Sequence, residues 1–67
     1  MTINKKRLLC AMIEADMNNK ELSKASGISA NQISNIRQGR GTTFDTALKL
    51  SKVLGVSVYS LINNPNL

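Results

Sequence analysis

The stretch NKELSKASGISANQISNIRQ, residues 19–38, decides the fold. Gly27 splits it into two short apolar-periodic segments, and a glycine there accepts the positive φ of a tight turn. Asn18 stands as a helix cap before the first segment with Glu21 three residues on, and Ser29 before the second with Gln32 three residues on. Both have the spacing of a capping box. An apolar residue precedes each cap and another falls four after it, Met17 with Leu22 and Ile28 with Ile33, which is hydrophobic-staple spacing. Small Ser23 lets the two segments approach closely, while Leu22, Ile33 and Ile36 point one way. The pattern predicts a helix over 19–26, a turn, and a helix over 30–38.

Working outward, the same punctuation recurs. Thr42 or Thr43 caps a helix over 44–54, with Asp45 in its first turn, where negative charge suits the helix dipole. Ser57 caps a last helix over 58–63, with Val56 and Leu61 as its staple. Gly39 and Gly55 stand just past helix ends. A first helix spans 5–16. The expected core is Leu8, Leu9, Met12, Ile13, Leu22, Ala25, Ile33, Ile36, Phe44, Leu48, Leu54, Leu61 and Ile62. Val56-Ser57-Val58 could be a short strand, but three residues without a partner build no sheet. The chain therefore reads as one all-α domain of five helices over 1–67, with a polar tail at 63–67.

Composition agrees. Only Phe44 and Tyr59 are aromatic, so the core must come from aliphatic residues, a balance that leans towards helices. Nine Lys and Arg against four Asp and Glu leave a charge of +5, which favours an anionic partner, nucleic acid before membrane, or else serves solubility alone. Lys5, Lys6 and Arg7 oppose the dipole at the start of the first helix; they either meet DNA backbone or form a solvated, frayed end. The apolar run after them, Leu8 to Ile13, is too short for a signal peptide or a membrane span. The chain is expected to be cytoplasmic, with Cys10 a buried, reduced thiol. It contains no His, no cysteine pair and no phosphate loop, so neither an enzyme nor a metal or cofactor site is expected.

The face left outward on the third helix is Ala30, Asn31, Ser34 and Asn35, flanked by Gln32 and Gln38. A merely solvated face would normally carry Lys and Glu. From Arg7 to Ile62 the chain resembles the Cro/C1-type repressors of temperate phages and the wider xenobiotic-response-element-like regulators. MNNKELSKASGIS matches the family's cap, leucine, small residue and turn glycine; ANQISNIRQG matches its recognition helix; TALKLSKVLGVSVYSL matches its fourth and fifth helices. The resemblance implies a five-helix, lambda-repressor-like DNA-binding domain and a phage or mobile-element repressor that binds operator DNA through the third helix. Position by position, it puts Ser29, Ala30, Asn31, Ser34 and Asn35 where base edges are read. Asn31 and Asn35 are suited to bidentate pairing with adenine, and Ala30 to a thymine methyl. It puts Asn18, Asn19, Gln38, Arg40 and Thr42 at phosphates.

The chain departs from the family at four positions. Asn19 and Ala30 stand where the family usually has Gln. Met12 and Arg37 replace a common Arg–Glu pair between the first and third helices, so that no charge is stranded. Arg37 then lacks an internal partner at that position and is left to reach solvent, a phosphate or an acidic protein. The competing function is therefore an anti-repressor that uses the same fold to bind another phage regulator. Family dimer contacts fall at Val56, Val58, Tyr59 and the Asn-rich tail. With no separate oligomerisation segment in the sequence, a homodimer is expected to be weak or assisted by double-stranded DNA.

Overall fold

The computed structural model describes residues 1–63. Among them run five helices: α1 (Lys5–Glu14), α2 (Asn19–Ser26), α3 (Ala30–Arg37), α4 (Phe44–Leu54) and α5 (Val58–Leu61). Among the described residues no sheet forms; an isolated antiparallel bridge joins Ile3 to Ile62. The 56–58 segment is cap and helix start, because Ser57 Oγ accepts from the Tyr59 N–H.

Each helix begins on a side-chain cap: Asn4, Asn18, Ser29, Thr43 and Ser57 accept from backbone N–H groups one turn in or less. Three helices end earlier than the sequence pattern suggests, each for a visible reason. At the end of α1 the chain turns left-handed at Asp16, φ 56°. There the Asp16 N–H bonds Ile13 O and the Met17 N–H bonds Met12 O, the paired bonds of a Schellman end. α3 ends the same way around Gly39, φ 92°. The Gly39 N–H bonds Ile36 O, and the Arg40 N–H folds back to Asn35 O. α5 also stops early, at Leu61, because Ile62 is extended and bridges Ile3. Residues 64–67 of the expected polar tail lie outside the described residues.

α3 packs on α1 and α2, α4 on α2 and α5, and α1 on α5. The core joins Leu8 and Met12 of α1, Leu22, Ile33 and Ile36 of the central pair, Leu50 and Leu54 of α4, and Leu61 with Ile62. Four expected core residues are exposed: Leu9, Ile13, Ala25 and Phe44. Cys10 is exposed as well, not buried. The run Leu8–Ile13 is apolar all round its helix, and only the stripe Leu8, Ala11, Met12 turns inward. On α4 the buried stripe is Ala47, Leu50, Ser51, Leu54. It is rotated roughly 90° from the Phe44–Leu48 stripe, so Leu48 is half-buried and Phe44 packs its ring against Tyr59 instead. Ile3, Ile28 and Val58, unassigned by periodicity, are buried too.

Candidate nucleic-acid interface

The turn between α2 and α3 is held by hydrogen bonds that leave little play. Gly27, at φ 76°, donates its N–H to Ser23 O. Ser23 Oγ donates to Ile28 O at 2.6 Å, and the Ile28 N–H returns to Ser26 Oγ at 3.2 Å. Ser23 is thus more than a small residue that permits close approach; its hydroxyl ties the far side of the turn to α2. Leu22 and Ile33, both fully buried, lock the helices beneath it. The orientation of α3 is therefore set by backbone and core, leaving its outer side chains to chemistry.

At the start of α2 the capping box is complete. The Glu21 N–H bonds Asn18 Oδ1 at 2.8 Å, and the Asn18 N–H bonds Glu21 Oε1 at 3.0 Å. The cap consumes the Asn18 oxygen, leaving the amide N–H2 pointing to solvent as a donor. Ser29 makes only half a box: its Oγ accepts from the Gln32 N–H, and the Gln32 side chain meets Oγ at 3.4 Å rather than reaching back to the backbone.

Arg37 does have an internal partner. Its Nη1 donates to Asn19 Oδ1 at 2.6 Å, across from the end of α3 to the start of α2. A guanidinium only donates, so the Asn19 oxygen faces Arg37 and its N–H2 is left as a donor. Asn18, Asn19 and Arg37 thus gather hydrogen-bond donors, one carrying a full charge, beside the N–H groups of a helix start, which is the chemistry a phosphate requires. Met12, the other half of the departure, is buried in the core.

Along α3, Ala30, Asn31 and Gln32 are exposed, and Ser34 and Asn35 half-buried. Asn31 makes no side-chain hydrogen bond among the described residues, so its amide keeps both donor and acceptor. Asn35 differs: Arg40 Nη1 donates to its Oδ1 at 3.2 Å. Beyond α3, Gln38 is exposed and Thr42 half-buried, with the Thr42 N–H spent on Met1 O at 2.8 Å. Gln32, Asn35 and Thr42 line one shallow groove.

The basic start of the chain divides in two. Lys5 lies along Gly39 at the end of α3, its side-chain carbons 3.6–3.7 Å from where a Cβ would stand. Lys6 and Arg7 line a separate, mostly apolar groove against Val56, Ser60 and Leu61 on the α5 side. Asn4 Oδ1 accepts from the Arg7 N–H at 3.0 Å, so this helix start is capped. Of the three dimer candidates, Val58 is buried within the chain's own core and is withdrawn from any surface role. Val56 is half-buried and Tyr59 is exposed.

A protein-family model for the Cro/C1-type HTH DNA-binding domain matches residues 7–63. The chain belongs to that family, and with its helix-turn-helix at α2–α3 it is a DNA-binding regulator of transcription. Comparisons with curated proteins and with solved structures find no significant match. Among the described residues no helix is long and apolar enough to cross a membrane.

Proposed function

We propose that this protein is a Cro-like repressor of a phage or mobile element, cytoplasmic, which lays α3 in the major groove of operator DNA and blocks transcription by occupancy. The observation that carries the reading is the uncharged, amide-rich outer face of α3 beside the donor cluster at the start of α2. Ser29, Ala30, Asn31, Ser34 and Asn35 read base edges. Asn31 is the leading reader, because its unengaged amide can pair with adenine N6 and N7. Asn18, Asn19, Arg37, Gln38 and Thr42 grip the backbone.

One α3 reads few base pairs, so useful specificity calls for two subunits on half-sites about 34–36 Å apart. The exposed Phe44–Tyr59 pair, ring centroids 6.3 Å apart, is a small apolar surface suited to a weak contact that DNA reinforces. The alternative is a partner-binding anti-repressor on the same fold, for which Ala30 and the exposed Arg37 speak; the uncharged, amide-rich outer face of α3 favours DNA reading.

Fluorescence anisotropy with duplexes selected from a random pool tests the reading. Asn31→Ala is expected to cost about 1–3 kcal/mol on the selected site and to relax specificity at one position. Failure to bind any duplex at low salt refutes a DNA-reading role.

A further inference from the structure

We propose that Arg40 is a specificity-determining residue: by holding the Asn35 oxygen it makes the end of α3 a reader of guanine rather than adenine. This rests on α3 entering the major groove as above. An asparagine reads adenine only by offering both groups of its amide, the oxygen to N6–H2 and the N–H2 to N7. The Asn35 oxygen is occupied by Arg40 Nη1 at 3.2 Å. Since a guanidinium has no acceptor, the amide orientation is forced, and N–H2 is what remains.

The contact follows from how α3 ends. With Gly39 left-handed, the Arg40 N–H bonds the backbone oxygen of Asn35 at 3.1 Å. The backbone thus carries Arg40 back over the last turn, and its side chain needs no long excursion to meet Asn35. Ile36, adjoining Asn35, is buried and holds this turn in place.

What the pair presents outward is donors only: the Asn35 N–H2 and the remaining guanidinium N–H groups. In the major groove, adenine sets a donor beside its N7, which such an edge repels. Guanine sets two acceptors side by side, N7 and O6, which it complements. Asn31, with its amide unengaged, keeps the adenine code. Two asparagines one helical turn apart on α3 thus read different bases.

The test selects bound duplexes from a random pool with the wild-type protein, Arg40→Ala, Asn35→Ala and Asn31→Ala, then measures single-base variants of the site by anisotropy. The expected result is one position where the wild type prefers guanine over adenine by about tenfold or more. That preference vanishes in Asn35→Ala and shifts to adenine in Arg40→Ala, while the position governed by Asn31 is unchanged in both. Putting 7-deazaguanine at the Asn35 position weakens wild-type binding, since it removes the N7 acceptor. If Arg40→Ala weakens every duplex alike and flattens the salt dependence, Arg40 is a phosphate contact and the proposal is overturned, with base reading by α3 intact. If adenine is preferred at the Asn35 position by the wild type, it is overturned likewise. If none of the three variants alters the selected sequence, base reading by α3 fails, and the role of Arg40 with it.

Discussion

Replacing Gly27 by alanine measures how far the helix-turn-helix depends on one backbone conformation. Gly27 sits at φ 76°, ψ 8°, and a Cβ built there meets nothing within 4 Å. Crowding is therefore no part of the cost. The left-handed backbone alone costs an L side chain about 1–2 kcal/mol. Alanine also narrows the unfolded ensemble, which offsets about 0.4–1 kcal/mol. The net loss is about 1 kcal/mol, or a fall of about 4–8 °C in melting temperature for a domain of this size. Asp16 supplies the opposite experiment: it is exposed, left-handed at φ 56°, and not glycine. Asp16→Gly relieves the same strain and should raise stability by about 0.5 kcal/mol, less than the mirror value because aspartate tolerates this region better than alanine. Both variants are read by thermal and urea unfolding followed by circular dichroism. A Gly27→Ala protein as stable as wild type would refute the claim that this turn requires positive φ. A loss above about 3 kcal/mol would refute the claim that the site is sterically open.

Three further outcomes follow from the contacts described. Asn18→Ala removes the cap and half the box at the start of α2, lowering stability by about 1 kcal/mol, while Asn18→Ser keeps most of it; urea midpoints distinguish the two. Leu22→Ala empties a fully buried core position on α2 and costs about 2–5 kcal/mol, enough to unfold much of so small a domain; calorimetry at high protein concentration shows whether a transition survives. Arg37→Ala is expected to lower the slope of log affinity against log salt by about 0.9 and to release the Asn19 amide. Adding Asn19→Ala on top should then cost less than Asn19→Ala alone, and additive losses would show that the two side chains grip DNA independently.

The five helices were legible because their signals are local. Caps at Asn18, Ser29, Thr43 and Ser57, with glycines at 27, 39 and 55, satisfy or release backbone groups within one turn of themselves, so linear spacing reveals them. The amide-rich outer face of α3 was legible for the same reason: once Leu22, Ile33 and Ile36 are assigned inward, the rest of the helix has nowhere else to point. One signal was present but easy to pass over. Glycine just past α3 implies that the next residue returns to the last turn, which already places Arg40 near Asn35.

What only the tertiary structure decided is which of several equivalent apolar faces is covered, and which polar groups find each other. Residues 8–13 and 44–54 each offer more than one apolar stripe, and periodicity cannot rank them. The choice falls to the neighbours, α3 and α5 against α1, α2 and α5 against α4. Ile3 has no periodic partner at all; it is buried because the chain start lies antiparallel to Ile62, with the Asn4 N–H on Leu61 O at 2.7 Å. Arg37 meets Asn19 across 18 residues of sequence, through a turn whose angle Gly27, Ser23 and the core beneath them set. Residues 19–38 thus announce their own fold through local chemistry. The donors gathered on their surface depend on contacts that exist only once α2, α3 and the loop after α3 are packed together.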